Sequence, residues 1–308
     1  MAGRSALVGR GAERDWLGEA LERARLGHGS LVLVAGEAGV GKTRLIEEVA
    51  SGSDALVLWG RAAHGPASPY GPVVAALRAY MRARPDGFAE LGPLRPHLAL
   101  ILPELGDAAP AGDRATLFEA IRCALAELAA AGPVLMVLDD LQSSDEATLE
   151  LLPALAEPLG ELSLLLVGAY RSDGLPRDHL VRRVRHELRR GGRLEELTVG
   201  PLDATETAEL LTQVLGEEPA PALANAVHDR TQGVSFFVEE LARALLVTGG
   251  EELPIPDTVR DAVLIAASEL SPEARAAAEA AAVGGEAFDL DLIAELGGAL
   301  DACAEDAA

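Results

Sequence analysis

Short runs of apolar residues alternate along the chain with stretches in which apolar residues recur every three or four positions. Uninterrupted Val- and Leu-rich runs are typical of strands buried on both faces of a parallel sheet, whereas the wider spacing indicates amphipathic helices. The alternation predicts an α/β fold. The predicted strands cover residues 31–35, 55–59, 134–138, 162–170 and 194–199.

The helix signals differ in strength along the chain. The clearest helix is predicted between Asp113, its N-cap, and Ala131, with an apolar stripe along one face. Ser143 and Glu146 have the spacing of a capping box and predict the start of a further helix. Within residues 86–113, prolines and glycines interrupt the pattern and predict only short helical pieces.

Beyond Pro201 the pattern changes to helices alone. We therefore expect a sheet domain, a helical lid domain and the start of a third domain that is interrupted rather than finished. These domains cover residues 1–200, 201–250 and 251–308, respectively. The helices expected in the lid cover about 204–215, 220–230 and 235–248.

A glycine-rich turn follows the first predicted strand and leads into a helix. Gly36, Gly41, Lys42 and Thr43 match the pattern G-x-x-x-x-G-K-[ST], and Lys42 is the only lysine among the 26 Lys and Arg residues. Glycines let backbone N–H groups curl around an anion, and the start of the helix adds its positive dipole end. We expect Lys42 to reach the outer phosphates of a nucleotide and Thr43 to coordinate Mg²⁺. The predicted contacts are Gly36, Glu37, Ala38, Gly39, Val40, Gly41, Lys42 and Thr43.

Two carboxylates, Asp139 and Asp140, follow the strand predicted at 134–138. Ligands bind outside the carboxyl ends of the strands in open α/β sheets. We expect Asp139 to complete the Mg²⁺ site opposite Thr43, and Asp140 to orient or activate the attacking water. Taken alone, a strand that ends in Asp-Asp is also common as a simple helix cap.

Arginines stand out at two places. Arg171 comes directly after the strand predicted at 162–170, where a cation is positioned to sense a terminal phosphate; a surface arginine is the alternative. Residues 177–193 hold seven arginines above an apolar stripe. That pattern favours a solvated helix face, paired with acidic side chains, over a nucleic-acid patch.

The composition narrows the class of protein. The chain has 308 residues, is 49% hydrophobic and has a net charge of −23, so it can bury a core and repels nucleic acid and anionic membranes. Cys123 and Cys303 show neither disulfide-framework nor metal-ligand spacing. The sequence also shows neither a signal peptide nor an apolar run that would span a membrane. We expect a cytoplasmic protein without membrane contact.

Several motifs form an ordered set along the chain. They lie at Leu7–Arg10, Gly36–Thr43, Leu138–Leu149, Gly168–Arg171, Thr231–Leu241 and Leu253–Arg260. As a set they resemble the ATPase part of the large ATP-binding regulators of the LuxR type, which are MalT-like signal-transduction ATPases with numerous domains. The chain departs from that family at Gln142-Ser143-Ser144-Asp145, where His-Trp-Ala-Asp is usual, and at Val234-Ser235, where Asn-Pro is usual.

The resemblance implies a three-layer αβα P-loop NTPase sheet, a helical lid and a winged-helix element. It implies that Val8, Gly9 and Arg10 lie near the adenine and that Arg171 is the phosphate sensor. It also implies a switch in which ADP holds a resting form, while ATP and an unidentified inducer permit self-association and transcription activation. DNA would be bound only through a C-terminal helix-turn-helix, which these residues do not contain.

Three functions stay open at this point. The first is an ATP-dependent switch with slow hydrolysis, because a switch needs dwell time. The second is a P-loop ATPase enzyme, such as a motor or transferase, or the ATPase domain of another signalling protein without DNA-binding output. The third is a scaffold that has lost its nucleotide, in which Gly36–Thr43 is a turn without a ligand.

Overall fold

The computed structural model describes residues 7–62, 68–84, 86–110, 113–248 and 270–284, together with residues 260, 264 and 267. The chain divides into two compact units. The sheet unit comprises Arg10–Asp173 and Asp178–Gly200, and the helical unit comprises Met1–Gly9, Gly174–Arg177 and Pro201–Ala308.

Parallel strands form the centre of the sheet unit. They are β1 Ser30–Gly36, β2 Leu56–Arg61, β3 Val134–Asp139, β4 Leu164–Arg171 and β5 Glu195–Thr198. Their order is β2-β3-β4-β1-β5. β3 is buried along its whole length and β4 along all but its last residue, as uninterrupted apolar runs require. The predicted α/β class and parallel sheet are confirmed.

Helices flank this sheet. They are α1 Gly11–Arg25, α2 Lys42–Ser51, α3 Gly71–Ala83, α4 Arg95–Leu98, α5 Arg114–Ala131, α6 Glu146–Ala156 and α7 Leu180–Arg190. Short 3₁₀ helices lie at Ala89–Leu94, Pro103–Leu105, Leu141–Ser143 and Leu159–Glu161. The predicted short helical pieces within residues 86–113 are therefore confirmed.

Of two predicted helix N-caps, one is correct and one is wrong. Asp113 caps α5 as expected, accepting a hydrogen bond from Thr116 N at 2.7 Å. Ser143 does not cap α6, because it lies in the 3₁₀ turn that follows β3. Asp145 takes the N-cap position and accepts from Thr148 N at 2.8 Å.

The arginine-rich segment forms α7 with its apolar stripe buried. Val181, Val184 and Leu188 face the core. Arg185 and Arg189 both bind Glu196 on the neighbouring strand β5. The prediction of a solvated helix face that pairs with acidic side chains is confirmed.

The helical unit contains α8 Ala204–Leu215, α9 Pro221–Thr231, α10 Ser235–Thr248 and a helix at Pro272–Gly284. Asp203 and Glu206 form the predicted capping box of α8. Leu211, Val227 and Val238 lie in its core together with Val8. The predicted winged-helix element falls mainly outside the described residues. Within the described part of the chain, every helix is too short or too polar to cross a bilayer.

Candidate functional site

The glycine-rich turn lies between the end of β1 and the start of α2. Gly39 and Gly41 have φ of 78° and 101°, a left-handed backbone that glycine adopts without strain. A Cβ on Gly36 would lie 2.4 Å from the backbone oxygen of Val199, so this position has no room for a side chain. The sequence folds here into a loop that only these glycines permit.

Lys42 folds back onto this loop. Its Nζ donates to the carbonyl oxygens of Gly36 and Glu37, each at 2.7 Å. Burial lowers the pKa of Lys42, and the nearby Arg171 lowers it further, while Asp173 and the Asp139–Asp140 pair oppose the shift. The buried ammonium is thus held by uncharged carbonyl groups, at the position where an anion would be its natural partner.

Thr43 and Asp139 meet across the carboxyl edge of the sheet. The Thr43 hydroxyl Oγ1 lies 3.1 Å from Asp139 Oδ2 and 3.4 Å from Oδ1. Asp139 is 1% exposed, and its Oδ1 also accepts from the backbone N of Asp140 at 3.0 Å. The two residues predicted to hold the metal are therefore adjacent.

Arg61 also binds Asp139. This arginine is the last residue of β2 and pairs with Asp139 in the register of the sheet. Its Nη2 and Nε lie 2.7 Å and 3.2 Å from Asp139 Oδ2, and Nε lies 3.5 Å from Asp140 Oδ2. The hydrogen bond to Asp139 raises the pKa of Arg61 although burial opposes it.

Gln142 connects Asp140 to the end of β4. Its Nε2 donates to Asp140 Oδ1 at 3.1 Å, and its Oε1 accepts from the backbone N of Arg171 at 3.0 Å. His179 holds the backbone of Gln142: Nδ1 accepts from Val181 N at 3.2 Å, which assigns the proton to Nε2, and Nε2 donates to Gln142 O at 3.1 Å. Asp140 and Arg171 thus share one connecting side chain.

The three N-terminal residues implied to lie near adenine fall in different surroundings. Val8 and Gly9 belong to the helical unit, where Val8 joins the core. Arg10 belongs to the sheet unit, is 5% exposed, and donates to the carbonyl oxygens of Val40, at 3.2 Å, and Gly200. Its contact with Val40 supports the glycine-rich loop, and the adenine contact stays a prediction.

The residues of the loop region fit a Mg²⁺-bound nucleotide. Hydroxyl and carboxylate oxygens are the hard ligands that Mg²⁺ takes, and Thr43 and Asp139 hold theirs 3.1 Å apart. Neighbouring ligands of an octahedral Mg²⁺ shell are roughly 2.9 Å apart. Among the described residues, no group of three or more His, Cys, Asp or Glu could hold a metal alone. Two protein oxygens do not fill an octahedral shell, so this donor set suits a cation that phosphate oxygens and water also coordinate.

A family model described as the AAA ATPase domain matches residues 6–167. The chain belongs to the AAA ATPase domain family. The match includes the glycine-rich loop, Arg61 and the Asp139–Asp140 pair, and it makes ATP the expected ligand of this AAA ATPase domain. A comparison with curated proteins finds no match.

Solved structures share the fold of this AAA ATPase domain. The Walker-type ATPase PABY2304 of Pyrococcus abyssi aligns with a TM-score of 0.62 and 16% identity, over 97% of this chain and 90% of its own. The Orc1 protein of Aeropyrum pernix, solved in complex with DNA, aligns with a TM-score of 0.50 and 21% identity, over 95% and 77%. The STAND protein PH0952 of Pyrococcus horikoshii, with a tetratricopeptide repeat sensor, has a TM-score of 0.48 and 14% identity, over 99% and 40%. At these identities the likeness to the first two structures concerns the fold alone.

Sequence reasoning missed Arg61 as a residue of the site. A signal was present, because Arg61 follows the apolar run 55–59 after a single glycine, close to a strand end as Asp139 and Arg171 are. Gln142 was noticed only as a departure from a family pattern, and His179 was not singled out. Their contacts depend on the conformation of the segments after β3 and β4.

Proposed function

We propose that this chain is an ATP-dependent switch module that binds Mg·ATP at Gly36–Thr43 and hydrolyses it slowly. The observation that carries the proposal is the buried ammonium of Lys42, held by two loop carbonyls beside the Thr43–Asp139 pair. A buried cation with only uncharged acceptors gains a charge-assisted partner when a phosphate enters the loop. Membership of the AAA ATPase domain family supports ATP as the nucleotide.

In this proposal each residue of the site has a defined task. The loop N–H groups and Lys42 bind the phosphates. Thr43 and Asp139 hold Mg²⁺, which neutralises charge on the phosphate oxygens when it is bound. Asp140 orients the attacking water, and Arg171 at the end of β4 senses the terminal phosphate. Val8, Gly9 and Arg10 lie near the adenine.

The surroundings of Asp140 support slow hydrolysis. Its Oδ1 accepts from Gln142 Nε2, and its Oδ2 lies 3.5 Å from Arg61 Nε. Asp140 Oδ1 is thus already engaged by Gln142, which leaves less of the carboxylate free to orient an attacking water. Long-lived bound ATP is what a switch requires.

The proposed regulatory response to ATP and ADP is based on the resemblance to MalT-like regulators of the LuxR type. ADP holds the resting form, and ATP with an inducer permits self-association and transcription activation in the cytoplasm. The lid over 201–250 and a winged-helix element within 251–308 accompany the sheet domain 1–200.

A single-turnover experiment separates this switch from a cycling ATPase enzyme. Excess protein is mixed with radiolabelled ATP and Mg²⁺. The conversion of ATP to ADP is followed for the wild type and for the Asp140→Asn variant. We expect conversion slower than about 1 s⁻¹, the lower end of typical enzyme turnover, and slower still in the variant. Fast conversion by the wild type without an inducer would favour the cycling enzyme, and ATP that never binds would favour the scaffold.

A further inference from the structure

Arg61 occupies the oxygen of Asp139 that faces Thr43. Asp139 Oδ2 receives Thr43 Oγ1 at 3.1 Å and both Nη2 and Nε of Arg61, at 2.7 Å and 3.2 Å. The other oxygen, Oδ1, accepts from the backbone N of Asp140 at 3.0 Å. The guanidinium therefore takes the carboxylate oxygen that a cation between Thr43 and Asp139 would use.

The surroundings decide which of the two partners can move. The Asp139 side chain is 2% exposed, whereas that of Arg61 is 55% exposed. Arg61 also lines a cavity of 590 Å³, whose other walls include Ser68, Arg78 and Leu100. Asp139 is fixed by burial and by its backbone contact, while the arginine has free volume beside it.

We infer that Arg61 competes with Mg²⁺ for Asp139, so that the guanidinium must leave the carboxylate before the metal binds. The inference rests on the proposed function, since it takes Asp139 as a metal ligand. Two cations cannot share one carboxylate oxygen at contact distance without strong repulsion. In the metal-free protein Arg61 neutralises a carboxylate that would otherwise be buried without a charged partner.

The effect of Arg61 on Mg²⁺ affinity should be large enough to measure. A hydrogen bond to a charged group is strong enough that a ligand which must break it binds about tenfold more weakly. Arg61 therefore raises the Mg²⁺ concentration that the site requires. Binding of nucleotide without metal should change little, because Lys42 and the loop, not Arg61, receive the phosphates.

The test measures ADP binding by isothermal titration calorimetry, in EDTA and over a series of Mg²⁺ concentrations. In Arg61→Gln, the Mg²⁺ concentration that gives half of the maximal gain in ADP affinity (the Mg²⁺ midpoint) should fall about tenfold. The ADP affinity of this variant in EDTA should stay within about twofold of wild type. Arg61→Lys keeps the charge but cannot place two N–H groups on one oxygen, so an intermediate fall is expected. Arg78→Gln removes a cation from the same cavity without touching Asp139, and its Mg²⁺ midpoint should not move.

The outcomes are separable. An unchanged Mg²⁺ midpoint in Arg61→Gln overturns the inference, and so does an equal fall in Arg78→Gln, which would indicate a general charge effect. If Arg61→Gln does not fold, an unchanged midpoint in folded Arg61→Lys overturns it equally. A wild-type protein that binds no ADP in EDTA or in Mg²⁺ would instead refute the proposed function, and the inference with it.

Discussion

The hydroxyl Oγ1 of Thr43 lies 3.1 Å from Oδ2 of Asp139, although 96 positions separate the two residues. The parallel sheet brings them together, because β1 and β3 both end at its carboxyl edge. Thr43 lies in the first turn after the β1 loop, and Asp139 is the last residue of β3. The candidate metal site is thus a consequence of strand direction and order.

The Thr43–Asp139 pair should act as one unit toward Mg²⁺. Thr43→Val and Asp139→Asn should each reduce the Mg²⁺-dependent gain in ADP affinity by about tenfold, and the double variant should lose little more. Calorimetric titrations in EDTA supply the control, because metal-free affinity should stay near that of wild type. Fully additive losses would mean that the two oxygens serve separate functions.

Gly36 should be intolerant of a side chain. Gly36→Ala would place a Cβ 2.4 Å from the Val199 backbone oxygen, and we expect it to lower the free energy of unfolding by about 1–3 kcal/mol and to weaken ADP binding. Gly18→Ala is the matched control, since its Cβ would meet nothing within 4 Å in the middle of α1. The control should stabilise the protein by about 0.5–1 kcal/mol. Urea unfolding measures both, and similar effects of the two substitutions would contradict the expectation.

Asp145 should contribute more to stability than an ordinary N-cap. Besides Thr148 N and Oγ1, its carboxylate accepts from the backbone N–H groups of Tyr70, at 2.9 Å, and Gly71, at 3.2 Å. Asp145→Ala removes all four contacts and should cost about 3 kcal/mol in urea unfolding. Asp113→Ala, which removes only the contacts to Thr116, should cost clearly less. Equal losses would show that the link to α3 contributes nothing.

Glu196 should make stability depend on pH. Burial raises its pKa, but hydrogen bonds from Arg185 and Arg189 outweigh burial, so the pKa lies below the ordinary value of 4.5. A carboxyl whose pKa is lowered by folding stabilises the folded state fully at pH values above its pKa in the unfolded state. This contribution is lost as the pH falls through its pKa in the folded state. Glu196→Gln should therefore cost about 1 kcal/mol at pH 7 and progressively less as the pH is lowered below 4.5.

The control for Glu196 uses its partners. In a protein that carries Arg185→Gln and Arg189→Gln, the further change Glu196→Gln should no longer cost stability at pH 7, because burial alone disfavours the charged carboxyl. Urea unfolding at several pH values gives both comparisons. A loss that is the same at pH 7 and pH 4, with or without the two arginines, would contradict the assigned cause.

The central strands β1, β3 and β4 could be predicted from the sequence because they contain uninterrupted apolar runs, which parallel strands buried on both faces require. The glycine loop and Asp139 could be predicted because loop conformation and strand end restrict which residues occur there. The N-cap of α6 could not be predicted, because the side chains of Ser143 and Asp145 can both accept a hydrogen bond from the first turn of a helix. The 3₁₀ turn Leu141–Ser143 decided between them, and local pattern does not encode it.

The hydrogen bonds around Asp140 could not be predicted from the sequence. Gln142, two residues after Asp140, and Arg61, at the end of β2, contact its carboxylate, while His179 holds the backbone of Gln142. Their contacts depend on strand register and on the left-handed backbone of Asp140, with φ of 58°. Neither property follows from apolar spacing.

The most direct measurement of the central claim is ATP binding, with Mg²⁺, by wild type and Lys42→Ala. Titration calorimetry at equal protein concentration gives both affinities, and Arg25→Ala serves as a control that removes an exposed cation paired with Asp54 on the surface. We expect saturable binding by wild type and by Arg25→Ala, and a loss of at least about tenfold in Lys42→Ala. Equal ATP affinity in wild type and Lys42→Ala would contradict the assignment of this loop as the nucleotide site.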